Sequence, residues 1–157
     1  MKNFIINFNI DSSTVVGCYW PINSELDTRP LICSLNEKNI GIALPIIRQN
    51  KMSFKSWKPQ EKLYFSKYKF FSPSTQAKDL SPDIIITPAL AVDNQGYRIG
   101  YGKGFYDKFF GENKSKVYVG YIYAKQSFKA LPFDKHDLKL DTVVTDTFVK
   151  KINNNLK

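Results

Sequence analysis

Residues 83–123 read DIIITPALAVDNQGYRIGYGKGFYDKFFGENKSKVYVGYIY, and the alternation of strand and helix within them sets the expected architecture. Two apolar runs rich in β-branched and aromatic residues, at 83–87 and 117–123, predict buried strands. A helix that begins at about Phe105 separates them. Strands that are apolar on both faces and are joined through a helix run parallel, so we expect a mostly parallel sheet with helices on both faces.

The same pattern of short apolar strands and helical segments continues on both sides of this stretch. Asp27 or Thr28 is placed to cap a helix that runs through Asn39. A more exposed strand that ends at Trp57 is expected to add antiparallel to the sheet, and residues 58–80 show no regular pattern. The predicted strands outside 83–123 are 14–20 (TVVGCYW), 41–45 (GIALP), 52–57 (MSFKSW) and 141–145 (DTVVT).

Length and composition predict a single α/β domain over residues 1–157, with 1–12 as a loose lead-in. A chain of 157 residues, 43% hydrophobic and 24% charged, suffices for one core and leaves little for a second. No apolar stretch is long enough to span a membrane, and the N-terminus lacks a signal-peptide pattern. Two cysteines, Cys18 and Cys33, are expected to be buried thiols rather than metal ligands. We therefore expect a cytoplasmic protein, and a monomer.

The net charge of +9 would suit a nucleic-acid partner, but the distribution of the charges does not. The cations are 20 lysines and three arginines, scattered among 12 asparagines, which is typical of AT-rich coding bias. We therefore expect neither nucleic acid nor a membrane as partner. Because a guanidinium offers a rigid fork that lysine lacks, Arg29, Arg48 and Arg98 are candidates for specific contacts with anions.

The segment Gly96–Lys108, GYRIGYGKGFYDK, is the richest in chemistry. Alternating glycines permit positive φ angles and turn successive N–H groups toward an anion, and the following helix adds its positive end. Lys103 lies inside this loop and Arg98 just before it, so a phosphate is the expected ligand.

Two familiar phosphate-binding motifs are excluded by the spacing. The segment lacks the GxxxxGK[ST] pattern of a Walker loop, and its third glycine comes too soon for a dinucleotide fingerprint. The structural alternative is a Gly-rich turn that leads into a helix, with Asp107 as a first-turn acid favoured by the helix dipole.

RIGYGKGFYD, residues 98–107, closely resembles the signature of the 5-formyltetrahydrofolate cyclo-ligases, also called 5,10-methenyltetrahydrofolate synthetases. This resemblance implies the sheet architecture that the family shares with sugar-phosphate isomerases and CoA transferases. Other segments resemble the family in the same order: YWPINSELDTRPL (19–31), IGIALPII (40–47), FKSW (54–57) and LPFDKHDLKLDTVVTD (131–146).

The resemblance implies an ATP- and Mg²⁺-dependent cyclisation of 5-formyltetrahydrofolate to 5,10-methenyltetrahydrofolate, with release of ADP and phosphate. Lys103 and Arg98 would be catalytic, acting on the transferred phosphoryl group. Asp107 and Asp137 would bind Mg²⁺, with Asp141 as the alternative ligand. The expected ATP-binding residues are Arg98, Ile99, Gly100, Tyr101, Gly102, Lys103, Gly104, Phe105 and Tyr106.

The resemblance also implies a folate side, formed by Glu25, Asp27 and Trp57 together with Tyr101 and Phe105. A carboxylate can accept paired hydrogen bonds from the amino and ring N–H groups of a pterin. Asp27 could equally serve as a helix N-cap, and Trp57 could serve only in packing. The lone histidine, His136, is expected to orient its loop rather than act as a base.

The chain departs from the resembled family at its start. Members begin with a basic helix whose side chains help to hold ATP, whereas here about ten residues precede the first strand. A misassigned start codon, a helix supplied by a separate N-terminal fragment, and a decayed enzyme each account for this. The alternative function is accordingly an inactive folate- or nucleotide-binding remnant, or one part of a split enzyme.

Overall fold

A seven-stranded sheet forms the centre of the structure. The computed structural model describes residues 4, 8, 10–134, 137 and 139–152. Two helices whose ends both lie within the described residues, and a short 3₁₀ turn at 124–126, accompany the strands. The elements are β1 (Val15–Gly17), α1 (Arg29–Glu37), β2 (Gly41–Arg48), β3 (Lys51–Ser56), β4 (Tyr64–Phe65), β5 (Phe71–Ser72), β6 (Ile84–Thr87), β7 (Ala91–Asp93), β8 (Arg98–Ile99), α2 (Phe105–Glu112), β9 (Val117–Ile122), β10 (Ser127–Phe128), β11 (Thr142–Thr145) and β12 (Val149–Lys151).

The central sheet is mostly parallel, as the sequence predicts. Its strand order is β12-β11-β9-β6-β1-β2-β3. The five inner strands run parallel, whereas β3 and β12 pair antiparallel at the two edges. The antiparallel addition of β3 is confirmed, and β12 is a second one that the sequence does not predict.

The two helices cover opposite faces of the sheet. Helix α1 buries Leu31, Ile32 and Leu35 in a core cluster that includes one set of alternating strand residues. Helix α2 buries Phe110 in a second cluster built from the other set. Because successive strand residues point to opposite faces, the two clusters lie on the two sides of the sheet. This confirms the expected helices on both faces.

Strand β2 is three residues longer than predicted because a proline is tolerated within it. Pro45 pairs with β3, whereas β1 pairs with β2 only over residues 41–43. The N–H that proline lacks is therefore not needed as a hydrogen-bond donor to β1. Strand β2 then turns directly into β3 through Gln49 and Asn50, which have φ angles of 48° and 61°. Two consecutive left-handed residues match the twist of a tight hairpin.

Several small elements lie outside the predicted pattern. Strands β10, β7 and β8 form a separate three-stranded sheet, and β4 and β5 form a hairpin within the irregular segment 58–80. Phe4, within the expected lead-in, is fully buried in the core. Of the two cysteines, Cys18 is buried as expected, but the expectation for Cys33 is wrong, since it lies exposed on α1. No helix in the described ranges is long and apolar enough to cross a membrane.

Candidate active site

The strand order implies a crevice, at a topological switch point, between the neighbouring strands β1 and β6. The chain leaves β1 toward β2 on one side, and leaves β6 toward β9 on the other. Ligands bind at such a switch point, outside the carboxyl ends of the strands. At the amino ends of β1 and β6, Asp83 links the two strands, because its carboxylate accepts a hydrogen bond from Val15 N–H at 2.9 Å. The loops after β1 and β6 carry the two sets of predicted site residues.

The Gly-rich loop leads into helix α2 in an open conformation that suits the binding of an anion. Gly102 and Gly104 have φ angles of 76° and 65°, and a Cβ atom at either position would meet no atom of the described residues within 4 Å. Gly104 immediately precedes α2, so the loop amides and the helix N-terminus are close together. Tyr101 and Lys103 are exposed on this loop. The geometry fits phosphate, and it also fits the structural alternative of a plain Gly-rich turn.

Arg98 lies beneath this loop and not on its surface. Only 6% of its side chain is exposed, and its Nη2 donates to Asp107 Oδ1 at 2.8 Å. The guanidinium lies 5.7 Å from the ring centre of Tyr106 and 5.5 Å from that of Phe110. A Cβ atom on Gly100 would come within 2.8 Å of Arg98 Nη1, so this glycine makes room for the guanidinium. Arg98 thus fixes Asp107 in the first turn of α2.

Two carboxylates lie on the loop after β1, and their surroundings differ. Asp27 accepts hydrogen bonds from Arg29 Nε and Nη2, both at 2.8 Å, and this guanidinium keeps the pKa of Asp27 below its ordinary value. Glu25 is half-buried, and burial raises its pKa to about 7 although Ile22 N–H donates to it at 2.9 Å. One carboxylate is therefore held charged by an ion pair, whereas burial favours the protonated form of the other.

Electrostatic coupling indicates that the two loops are close together. The Glu25 carboxylate contributes to raising the pKa of Tyr106, on α2, and that of Tyr19, at the end of β1; burial is the larger cause in both cases. The Tyr106 hydroxyl and Arg98 Nε are buried, and neither has a hydrogen-bond partner among the described residues. The Gly-rich side and the carboxylate side thus adjoin one buried region.

Comparison with known proteins assigns the family. The sequence profile of the 5-formyltetrahydrofolate cyclo-ligase family matches residues 3–146. The chain belongs to this family. The 5-formyltetrahydrofolate cyclo-ligase of Escherichia coli K12 is 32% identical over 143 residues, which cover 85% of this chain and 79% of the relative. That of Haemophilus influenzae is 29% identical over 134 residues, covering 80% and 72%.

Solved structures agree with this assignment. The NMR structure of Aquifex aeolicus 5,10-methenyltetrahydrofolate synthetase is similar with a TM-score of 0.78 and 29% identity, over 92% of this chain and 74% of that one. The corresponding synthetase from Mycoplasma pneumoniae has a TM-score of 0.66 at 19% identity, over 92% and 81%, and supports the fold alone. The α/β fold with a mostly parallel sheet is therefore that of the cyclo-ligase family.

Trp57 occupies a different environment in this cyclo-ligase family member from the one that the sequence suggests. The expectation of an exposed tryptophan is wrong, because Trp57 is only 4% exposed. Its ring packs edge-on against Trp20 at 5.6 Å, and its Nε1 donates to Glu61 O at 3.1 Å. Its role as a folate contact stays a prediction.

The three candidate metal ligands lie in different settings. Asp107 stands in the first turn of α2, and the hydrogen bond from Arg98 uses only its Oδ1. Asp137 accepts a hydrogen bond from Asp134 N–H at 2.7 Å within the loop before β11. Asp141 directly precedes β11, at the amino end of that parallel strand, and accepts from Tyr118 N–H. Asp141 therefore lies at the amino edge of the sheet, opposite the carboxyl ends of β1 and β6.

Two other features complete the description of the site. Within the described residues, no three His, Cys, Asp or Glu side chains are grouped as metal ligands. His136 lies outside the described residues. Thr28 is the N-cap residue of α1, but its hydroxyl donates to Tyr19 O instead of capping the helix. Asp27, one residue earlier, accepts a hydrogen bond from Arg29 N–H at the start of α1.

Sequence reasoning missed two tyrosines that shape the site. Tyr19 donates to Leu26 O at 2.8 Å and so holds the carboxylate loop against the end of β1. Tyr68, from the irregular segment, packs edge-on against Phe105 at 5.2 Å. No local signal marks either residue, because both contacts depend on how distant segments fold together.

Substitution of Gly104 is expected to disturb this site without a steric clash. The variant Gly104→Ala places a side chain in left-handed backbone, at a cost of about 1–2 kcal/mol, and fills open space at the helix N-terminus. Urea denaturation should show lower stability, and phosphate-ligand binding should weaken. The matched variant Gly111→Ala, in the body of α2 with free space around it, should gain about 0.5–1 kcal/mol and leave binding unchanged. Equal effects would contradict the assignment.

Proposed function

We propose that this chain catalyses the ATP-dependent cyclisation of 5-formyltetrahydrofolate to 5,10-methenyltetrahydrofolate, with release of ADP and phosphate. One observation carries the proposal: an open Gly-rich loop precedes the N-terminus of α2, and Tyr106 in the first turn of α2 lies within electrostatic reach of Glu25, on the loop after β1. The loop suits a triphosphate and the carboxylates suit a pterin, so the two substrates would meet at one place.

The nucleotide side would be the segment Arg98–Tyr106. Its amides and the N-terminus of α2 would receive phosphate oxygens, because both offer N–H groups and positive potential. Lys103 is exposed and would reach the transferred phosphoryl group. Arg98, held under the loop by Asp107, would act by fixing the loop and by adding positive charge beneath it.

The folate side would be formed by Glu25 and Asp27 with Tyr101 and Phe105. Asp27 can accept pterin N–H groups only in competition with Arg29, so folate would share or displace that guanidinium. Tyr101 is 44% exposed at the mouth of the Gly-rich loop and offers a flat face to the folate ring system. Trp57 would support the folate side from the protein interior, because its ring packs on Trp20.

The reaction follows from this juxtaposition. The formyl oxygen attacks the γ-phosphorus, and the bond from phosphorus to the departing ADP oxygen breaks. N10 then attacks the activated formyl carbon and gives up its proton. Finally the C–O bond to phosphate breaks, which leaves the methenyl bridge between N5 and N10. Because a formyl oxygen is a weak nucleophile, positioning and charge neutralisation by the loop residues would supply most of the acceleration.

Asp107, with Asp137 as its partner, would bind the Mg²⁺ that accompanies ATP. Carboxylate oxygens suit this hard cation, which often uses one or two carboxylates together with substrate phosphates, so a three-ligand cluster is unnecessary. The hydrogen bond from Arg98 uses Asp107 Oδ1, so Oδ2 would be the oxygen that binds the ion. The ion would neutralise charge on the phosphates when bound.

The variant Asp107→Asn tests this assignment. Asparagine keeps an oxygen for Arg98 but loses the carboxylate charge, so the Mg²⁺ concentration that supports ATP binding should rise about tenfold or more, in line with the loss of a charged ligand. Titration of ATP binding against Mg²⁺ measures this directly, without turnover. The variant Asp141→Asn should leave the titration unchanged. An unchanged requirement in Asp107→Asn would move the metal site elsewhere.

The cytoplasm is the proposed compartment and a monomer the proposed state. Cys18 and Cys33 are both free thiols, and one of them is exposed, which suits a reducing environment.

A spectrophotometric assay tests the proposed function. The chain is mixed with 5-formyltetrahydrofolate, ATP and Mg²⁺, and the methenyl product should appear only when all three are present. Omission of each component in turn is the control. If no product forms while folate still binds in a parallel titration, the remnant or split-enzyme alternative is correct and the proposal is overturned.

A further inference from the structure

The part of the chain that carries Asp137 is attached to the turn that precedes the Gly-rich loop. We call this part the Asp137 segment; the structure describes it at residues 131–134, 137 and 139–140. Strands β7 and β8 form a hairpin with a turn at residues 94–97, and β8 leads directly into the Gly-rich loop and α2. The hairpin turn therefore joins the Asp137 segment to the part of the chain that carries Asp107.

Asp93, the last residue of β7, is a buried carboxylate whose two oxygens have different partners. The residue is only 4% exposed, and among the described residues no cation forms an ion pair with it. Its Oδ1 accepts hydrogen bonds from Gln95 N–H at 2.8 Å and from Tyr97 N–H at 3.0 Å, which close the hairpin turn. Its Oδ2 accepts a hydrogen bond from Leu131 N–H at 3.2 Å, 38 residues further along the chain.

A purely local turn would need only one of these oxygens. Aspartate and asparagine both close such turns with a single side-chain oxygen, and here Oδ1 alone meets both turn amides. The second oxygen serves the bond to Leu131. An asparagine would offer an NH₂ group at this place, which donates and cannot accept from an N–H. The remote contact therefore explains why the buried side chain is a carboxylate.

Two further contacts hold the Asp137 segment against the same turn. Phe133 stacks on Tyr97, with ring centres 4.0 Å apart and ring planes at 3°. Leu140 N–H donates to Gly96 O at 2.9 Å, and a Cβ atom on Gly96 would come within 2.8 Å of Leu140 O, so this glycine permits the close approach. Both ends of the segment are thus fixed to the turn, and Asp137 lies between them.

We propose that Asp93 is a positioning residue for metal binding, which acts by holding the Asp137 segment in place relative to the Gly-rich loop. This inference rests on the proposed function, in which Asp107 and Asp137 bind the Mg²⁺ that accompanies ATP. Ordering a ligand group at the moment of binding costs conformational entropy, and a group that is already held avoids this cost. Loss of a residue that orients metal ligands therefore lowers metal affinity, by about 10–100-fold in typical sites.

The variant Asp93→Asn breaks the remote bond selectively. Its oxygen can still meet the two turn amides, but its NH₂ group cannot accept from Leu131 N–H. The Mg²⁺ concentration that supports ATP binding should rise about tenfold or more, while folate affinity stays near wild type. Titration of ATP binding against Mg²⁺ measures this without turnover, and hydrogen exchange should show lost protection at the Leu131 amide.

A double-variant cycle shows whether Asp93 acts through Asp137. The variant Asp137→Asn alone should raise the Mg²⁺ requirement by a similar factor. The double variant Asp93→Asn/Asp137→Asn should be little worse than Asp137→Asn, because a segment that has lost its ligand gains nothing from being held in place. Independent effects would instead multiply.

Two other variants separate positioning from a loss of stability. Asp83 likewise accepts a hydrogen bond from a distant backbone N–H, that of Val15, but at the amino ends of the strands. Asp83→Ala should therefore lower the Tm and leave the Mg²⁺ requirement unchanged. Phe133 is exposed, so Phe133→Ala should fold, and loss of its stack on Tyr97 should raise the Mg²⁺ requirement about two- to tenfold.

The outcomes distinguish the inference from the function on which it rests. If wild type forms no methenyl product, the proposed function fails, whereas the binding titrations require no turnover. If Asp93→Asn leaves the Mg²⁺ requirement unchanged, or if its effect multiplies with that of Asp137→Asn, the inference is overturned. If Asp93→Asn fails to fold, Phe133→Ala decides: an unchanged Mg²⁺ requirement in this variant overturns the inference.

Discussion

A chain that carries Lys103→Ala should turn over about 10²–10³-fold more slowly while it binds 5-formyltetrahydrofolate as wild type does. Lys103 is exposed within the Gly-rich loop, so its removal leaves the fold intact. The ammonium is assigned to the phosphoryl group in transfer, where a positive charge stabilises the transition state more than the ground state. Methenyl formation and folate titration together measure the two quantities.

Lys108→Ala is the matched control for this prediction. Lys108 is another exposed lysine, one turn into α2, and its backbone N–H donates to Gly104 O. Its truncation should leave both turnover and folate affinity near wild type. Equal losses of turnover and of folate binding in Lys103→Ala would contradict the assignment of the loop to phosphate, as would unchanged turnover.

The buried pair Arg98–Asp107 should respond unequally to removal of its two partners. Asp107→Ala leaves a guanidinium that is 6% exposed without its counterion, whereas Arg98→Met leaves a carboxylate that is 30% exposed. An uncompensated buried charge costs about 3–5 kcal/mol, so Asp107→Ala should be the less stable variant. Its Tm should fall by on the order of 10 °C.

Thermal denaturation of the two variants and of the double variant tests this asymmetry. The double variant Arg98→Met/Asp107→Ala contains no unpaired charge, and it should recover part of the stability lost in Asp107→Ala. All three should bind ATP weakly, because the loop loses its anchor. A larger loss in Arg98→Met than in Asp107→Ala would show that ring stacking and volume, rather than charge, dominate at this position.

Sequence patterns were sufficient for the parts of the fold and site that depend on local order. The alternation of apolar strands with helices predicts the parallel sheet, and RIGYGKGFYD marks the Gly-rich loop at the start of α2. Strands such as β8 and β12, two or three residues long, are too short to show a period, so they were missed. Cys33 was misplaced because α1 buries positions 31, 32 and 35, which turns position 33 outward.

The environments of site residues were harder to predict than their identities. Burial of Arg98 depends on Asp107, nine residues later, and on two aromatic rings that α2 brings over it. Trp57 follows directly after β3, where alternation no longer indicates a face, and its packing on Trp20 joins separate loops. The difference between Glu25 and Asp27 arises from one nearby guanidinium and from burial. Such effects require the assembled structure.

The crevice between β1 and β6 has a consequence for the order of folding. The β2–β3 hairpin closes over two residues and can form within about 1–10 μs, whereas the link from Val15 to Asp83 closes a separation of 68 residues. Long-range parallel pairing costs loop-closure entropy before the stabilising contacts form. The crevice therefore belongs to the late part of the fold, which has high contact order. A ligand that bridges both loops therefore binds only chains that have completed this step, and it shifts the folding equilibrium toward them.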